Sequence, residues 1–285
     1  MKHFFLTLIL LFAFPLIRFS ALAKSITWHN TVFSQGGYAI GQVTPGSQVT
    51  FLGHELDITS DGHFIIGFGR DMPSSANLRV VSQGKTVTYP ITIQARQYKI
   101  ERIDGLPNNK VNPRSQEDLA RIRRDTRQVV AARAKRFKRN DFLKPFTWPA
   151  NGRISGVYGS QRVLNGDPKR PHYGIDIAAI TGTKVVSPND GIVSLVHEDM
   201  FFSGGTLIID HGYGLSSTFL HLNAIHVEPG QVVKKGELIA DIGATGRATG
   251  PHLDWRMNWM NQRLDPQLFV GEMKNITASK ESTER

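Results

Sequence analysis

Between Ser25 and about Ala95, short apolar-rich, β-prone stretches alternate with polar, turn-forming signals. The segments 48–52, 63–68, 78–82 and 86–93 are rich in β-branched and aromatic residues and read as strands. Gly36-Gly37, Pro45-Gly46, Asp61-Gly62 and Ser82-Gln83-Gly84 supply the turns between them. Strands this short at this spacing predict a small antiparallel sandwich. Such a module either docks on a ligand or shields a cleft, or it is a spacer with no ligand of its own.

After Pro113 the pattern changes. Ser115, with an acid three residues on at Asp118, predicts a helix start. Leu119, Ile122, Val129, Val130 and Phe137 then recur at helical spacing. Nine Lys or Arg fall between Arg121 and Arg139, a run that reads as a solvated face or as a contact with an anionic surface. Lys144 to Pro149, with two prolines and two aromatics, reads as a rigid entry to a further domain. From Pro149 to Gly271 the pattern is β again, rich in Gly, with strand-like segments 192–196, 206–210 and 217–222. The chain thus divides into 1–23, 24–98 (small β module), 99–148 (basic helical linker), 149–273 (second β domain) and a polar tail, 274–285.

Residues 1–23 read as a signal peptide: Lys2, an apolar run from Phe4 to Ile17, and Ala21-Leu22-Ala23 as an A-x-A cleavage site. The run is short for a membrane span, and no stable insertion is expected after cleavage. An exported protein of the periplasm or cell envelope follows. Cleavage would remove Lys2 and Arg18 and no acid from a net charge of +10, leaving +8. That surplus favours anionic surroundings, and export disfavours nucleic acid among them. The chain has no Cys, which excludes disulfides, thiolate metal sites and a cysteine nucleophile, so a metal would rest on His, Asp and Glu.

Of ten histidines, His29, His54, His63, His197, His211 and His226 lack an informative neighbour and read as surface or turn residues. His172 and Asp176 stand four apart around Gly174, a spacing that lets an imidazole and a carboxylate converge on one cation. His252 and Asp254, if on a strand, point to one face. His221 interrupts the apolar run Phe219-Leu220-His221-Leu222.

The segments 152–162, 172–178, 182–188, 191–193, 209–212, 219–222, 227–236 and 243–252 stand in the order and approximate spacing of the lysostaphin-type (LytM) zinc endopeptidases, which residues 149 to 270 resemble. The resemblance implies a mainly β fold whose C-terminal antiparallel β-sheet peptidase domain, a duplicated hybrid motif, hydrolyses peptide bonds of peptidoglycan. It implies His172 and Asp176 as metal ligands, with His221 and His252 beside the water that the metal activates. The family's H-x-H motif ends in a third metal-binding His, where this chain has Asp254. Carboxylate is a competent zinc ligand, so one divalent metal, with zinc favoured, is expected on His172, Asp176 and Asp254. A site of one imidazole and two carboxylates would be formally neutral around a divalent ion, with weaker Lewis acidity and more tolerance for harder metals.

Peptidoglycan is the expected partner and a monomer the expected state. A catalytically silent peptidoglycan-binding protein, or an activator of another wall hydrolase, is the alternative that Asp254 keeps open. A lipoyl- or biotinyl-like carrier is suggested by Val227 to Ile239, but the turn from Asp241 to Gly246 has no Lys to modify.

Overall fold

The structure is a computed structural model that describes residues 26–104 and 115–273. The expected signal peptide (1–23) and polar tail (274–285) lie outside the described residues. Seven strands build the N-terminal module: β1 (Thr27–Thr31), β2 (Tyr38–Gln42), β3 (Gln48–Phe51), β4 (His54–Leu56), β5 (His63–Gly67), β6 (Ser75–Ser82) and β7 (Lys85–Thr92). They form two antiparallel sheets, ordered β1-β2-β5 and β4-β3-β6-β7. Strands β2 and β5 are buried on both faces, so the alternation that marks β3 and β6 is absent from them.

The linker opens with β8 (Ile100–Ile103) and continues, beyond residues 105–114, with helix α1 (Gln116–Ala134). The helix starts as expected: Ser115 Oγ accepts from the Asp118 amide, and the Asp118 carboxylate accepts from the Ser115 amide. Its end differs, because Lys135 caps it and Phe137 lies beyond. The apolar positions are also not a core face. Ala132 is the buried residue of α1, while Val130 is 61% exposed. The helix is instead tied down by polar groups. Arg121 pairs with Asp199 at 2.7 Å, Asp125 accepts from the Phe201 amide, and Arg133 donates to Thr218. The basic run is therefore partly a contact surface within the molecule.

The C-terminal strands are β9 (Arg153–Gly156), β10 (Gln161–Leu164), β11 (Asp167–Pro168), β12 (Ile175–Ala178), β13 (Lys184–Val186) and β14 (Gly191–Met200). They continue with β15 (Gly204–Gly212), β16 (Leu215–Ile225), β17 (Val232–Val233), β18 (Leu238–Ile242), β19 (His252–Trp259) and β20 (Gln262–Leu264). All but β10 and β11 join one ten-stranded sheet with the path β17-β14-β15-β16-β19-β12-β9. Strand β10 instead pairs in parallel with β8 of the linker.

Alternation along β19 sorts the sheet into two faces. Leu253, Trp255, Met257 and Trp259 are buried in the core, and Trp255 meets Trp148 edge-on at 5.8 Å. On that side the N-terminal module joins the same core. Trp259 lies 6.1 Å from Phe51, and Tyr38 stacks on Phe269 at 3.9 Å. Arg96 adds an ion pair to Asp265 at 2.8 Å. His252, Asp254, Arg256 and Asn258 take the opposite face, which is the face that α1 crosses.

His211, expected in a surface turn, is fully buried at the end of β15. Its Nδ1 meets the Asp190 carbonyl at 2.7 Å and its Nε2 the Ser217 hydroxyl at 2.8 Å, so a neutral ring satisfies both nitrogens. Burial pushes this imidazole down to about 4, and pushes the neighbouring Asp210 carboxyl up to about 7. As pH falls from 6.5 towards 4, the unfolded chain protonates His211 and the folded one does not, which destabilises the fold. Over the same window folded Asp210 holds a proton that the unfolded chain releases, which stabilises the fold as pH falls. The two slopes cancel. The Asp210→Asn variant is therefore expected to lose about 3 kcal/mol relative to the wild type between pH 6.5 and 4, at about 1.4 kcal/mol per pH unit. Urea denaturation across that range checks this, and parallel profiles for the two proteins contradict it.

Candidate metal centre

Strand pairing creates the site. Asp176 on β12 is directly opposite Asp254 on β19, and Ala178 is opposite His252. His172 lies in the loop before β12, held by its amide on the Ser160 carbonyl and by the Gly159 amide on its own carbonyl, each at 2.8 Å. That clamp aims its ring at the strand: His172 Nε2 stands 3.3 Å from Asp176 Oδ1. Ligand atoms of His172, Asp176 and Asp254 all lie within 4.8 Å of one another.

The residues fit a metal. His172 Nε2 and Asp176 Oδ1 are both buried, and neither has a hydrogen-bond partner. Buried polar atoms are costly to leave unpaired, so two of them facing each other point to an absent third party. Their 3.3 Å separation matches the edge of a tetrahedron with arms of about 2.0–2.1 Å, as zinc makes with His and carboxylate. Without a cation, burial opposes a charge on His172, but its contact with Asp176 and the charges of Asp254 and Asp176 raise its pKa. The pocket is thus built for positive charge.

Two further imidazoles face the same place. Leu220 pairs with Asp254, so strict alternation would turn the next side chain, His221, into the core. A left-handed backbone at His221 (φ 64°) breaks the alternation and brings its ring to 4.7 Å from that of His252. The Nδ1–H of His221 donates to the Thr245 carbonyl, and that of His252 to the Gly250 carbonyl, both at 2.8 Å. Each ring therefore presents Nε2 as an acceptor, and His252 Nε2 lies 3.9 Å from Asp176 Oδ1. Burial lowers the pKa of His221 and so favours its neutral form.

The residue that sequence reasoning missed is Arg256. Its Nε donates to Asp254 Oδ1 at 2.9 Å and to Oδ2 at 3.1 Å, and its Nη2 donates to Oδ2 at 2.5 Å. Burial would raise the Asp254 pKa, but the guanidinium charge and its hydrogen bonds hold the carboxyl below the usual range. The Arg256 pKa is correspondingly raised against the effect of burial. The pair stays ionised. Its signal was present in the two-residue spacing His252, Asp254, Arg256, which puts all three on one face. The formally neutral site expected from one imidazole and two carboxylates thus carries the guanidinium's positive charge beside it.

Gly174 serves the site through close packing. A Cβ there would lie 2.4 Å from Asp254 Oδ1 and 2.7 Å from Arg256 Cγ. Glycine is needed so that the loop can close over the ion pair. Gly156 does the same beside Asp176, where a Cβ would lie 2.2 Å from Oδ2. His29, His54, His63, His197 and His226 stay outside this cluster. Near the site's other end, a depression of about 340 Å³ opens between residues 69–73 of the N-terminal module and Tyr173 and Arg263.

Residues 170–266 match the model of Peptidase family M23. The peptidoglycan DD-endopeptidase ShyB of Vibrio cholerae is 42% identical over 95 residues, covering 33% of this chain and 22% of that protein. The peptidoglycan DD-endopeptidase ShyA of the same organism is 38% identical over 107 residues, covering 37% and 24%. The chain therefore spans about a quarter or less of the length of these relatives. A crystal structure of a Pseudomonas aeruginosa protein assigned to M23 superposes with a TM-score of 0.64 at 27% identity, covering 85% of this chain and 96% of that one. This likeness extends through the N-terminal module. Residues 170–266, which hold the clustered His172, Asp176 and Asp254, thus match peptidase family M23, the lysostaphin-type family.

Proposed function

We propose that the protein is an exported metal-dependent endopeptidase that cuts cross-link peptides of peptidoglycan in the periplasm or cell envelope. His172, Asp176 and Asp254 hold one divalent ion, with zinc favoured. The observation that carries this reading is the pair of buried, unpartnered atoms, His172 Nε2 and Asp176 Oδ1, beside Asp254 and two acceptor imidazoles. The names of ShyB and ShyA support the choice of substrate.

The metal, when bound, lowers the pKa of water and polarises the scissile carbonyl. The chain's own residues do the rest. His252 and His221, each anchored through Nδ1–H to a carbonyl, offer Nε2 to take a proton from the attacking water. A ring that has taken the proton becomes an Nε2–H donor, fit to stabilise developing negative charge or protonate the leaving amine. Asp176 lies next to His252 Nε2 and would hold the ring that becomes cationic. Purified peptidoglycan treated with the protein is expected to release muropeptides, and a chelator to stop the release. Protein without metal that releases nothing would defeat the proposal.

A second reading is a silent peptidoglycan-binding protein or an activator of another wall hydrolase. Arg256 favours it, because the guanidinium already satisfies both oxygens of Asp254. Against it stands the capacity of each carboxylate oxygen to accept twice, so that Asp254 can serve guanidinium and metal together. Asp254→Ala separates the readings: an enzyme loses metal and activity, and a pure binder keeps its binding.

A further inference from the structure

The face of the sheet that carries the metal centre also gathers arginines from three parts of the chain. Thr218 on β16 is the cross-strand partner of Arg256. Its Oγ1 accepts from Arg133 Nη2 of α1 at 3.0 Å and from Asn258 Nδ2 at 3.2 Å. Asn258, fully buried, accepts in turn from Arg263 Nη1 through its Oδ1. Arg170 sits two residues before His172, with its guanidinium 5.6 Å from the Tyr173 ring. Arg256 is neutralised by Asp254, but among the described residues no carboxylate lies within 4.0 Å of Arg133, Arg170 or Arg263.

Arg133 Nε is buried with no hydrogen-bond partner, a donor left open on the inner side of the helix. The crowding is felt electrostatically. Burial and the charges of Arg256 and Arg170 push Arg263 down to about 10, and Arg133 is lowered by burial and the same neighbours with Arg263. Like charges held together by neutral Thr218 and Asn258 give the fold nothing that apolar residues would not give better. A site that receives an anion explains them.

We propose that Arg133 and Arg263, with Arg170 at the rim, form a subsite that binds a carboxylate of the substrate peptide. The inference rests on the endopeptidase reading above. Rows of the sheet set its distance from the reacting bond. Arg256 and Asn258 follow Asp254 by two and four residues on β19, roughly 7 to 14 Å at about 3.4 Å per residue. An extended peptide covers that span in about two to four residues. The enzyme would then select peptides with a free carboxylate at that remove from the cut. Guanidinium forks suit carboxylates, and α1 of the linker becomes part of the substrate site through Arg133.

The test uses muropeptide dimers prepared from purified peptidoglycan, one portion left free and one amidated at its carboxylates with carbodiimide and ammonia. With metal-loaded full-length protein, amidation is expected to raise KM roughly 10- to 100-fold, with kcat within about twofold. Arg133→Gln and Arg263→Gln should raise KM for the free dimer comparably, leave the amidated dimer unchanged and keep full metal content. Arg263→Lys, which retains a charge, should restore part of the preference and guards against a merely structural effect at Asn258. Variants that discriminate between the two dimers as the wild type does would overturn the inference. If the wild type cleaves neither dimer, calorimetric binding of the same two dimers takes over. A preference for the free dimer that Arg133→Gln abolishes then sustains the subsite without the enzyme reading, and equal affinities overturn it.

Discussion

Exchange of Asp176 for asparagine is expected to abolish muropeptide release while leaving the fold intact or slightly more stable. The side chain keeps its shape, so the pairing of Asp176 with Asp254 and Gly156 can persist. What disappears is one of two carboxylates whose ligand atoms lie within 4.8 Å of each other. Without metal these charges repel, and removing one relieves the repulsion. In the proposed metal centre the same charge is a ligand. Loss of groups that only support a ligand costs about 10- to 100-fold in metal affinity or activity, so loss of a ligand should exceed about 100-fold. Thermal unfolding with and without added zinc reads both effects. The wild type should be stabilised by zinc and the variant hardly at all. A variant that keeps both the zinc-induced shift and its activity would remove Asp176 from the site.

Arg256→Met is expected to give the second large effect, on stability rather than on the reacting groups. It leaves Asp254 buried with its charge uncompensated, which in metal-free protein costs about 3–5 kcal/mol. Metal binding should recover much of that loss, because the cation becomes the only strong partner of Asp254. The variant should therefore be less stable than the wild type without metal and gain more from it. The same reasoning bears on restoring the family pattern. Asp254→His alone strands a buried guanidinium and should be poorly stable, whereas Asp254→His with Arg256→Met removes both charges together. Chemical denaturation of the four proteins, with and without zinc, gives the comparison. A single Asp254→His as stable as the double variant would show that the ion pair contributes nothing.

The strands that were legible in the sequence are those built on short β-prone runs bounded by turn signals. Strands β3, β5, β6 and β7 and the hearts of β14, β15 and β16 appear where such runs predict them. Strand β2 escaped because Tyr38-Ala39-Ile40-Gly41-Gln42 has a single β-branched residue and an internal Gly, and β8 because its partner, β10, lies sixty residues on. The capping box located the start of α1, but its spacing of apolar residues overstated burial, since Arg121, Asp125 and Arg133 carry its contacts.

The site was legible to the extent that order along the chain reflects strand pairing. His172, Asp176, His221, His252 and Asp254 were all named from sequence, and the structure brings them together. How they meet was not readable. The left-handed turn at His221 has no composition signal, since the residue is neither Gly nor Asn. The burial of His211 depends on Asp190, in the bend before β14, and on Ser217 of β16. Arg256 drew no expectation from the sequence, and its role follows from its bonds to Asp254. That pair changes the electrostatic account of the site. The carboxylate that replaces the family's third histidine brings a guanidinium with it, so the charge around a divalent ion is the same as with a neutral imidazole in its place.

The central claim is that Asp254 completes a metal centre with a single imidazole ligand. X-ray absorption at the zinc edge, on zinc-loaded full-length protein, tests it most directly. One imidazole and otherwise oxygen neighbours are expected, at about 2.0–2.2 Å. Two or more imidazoles around the zinc, from His221 or His252 in place of Asp254, would contradict it.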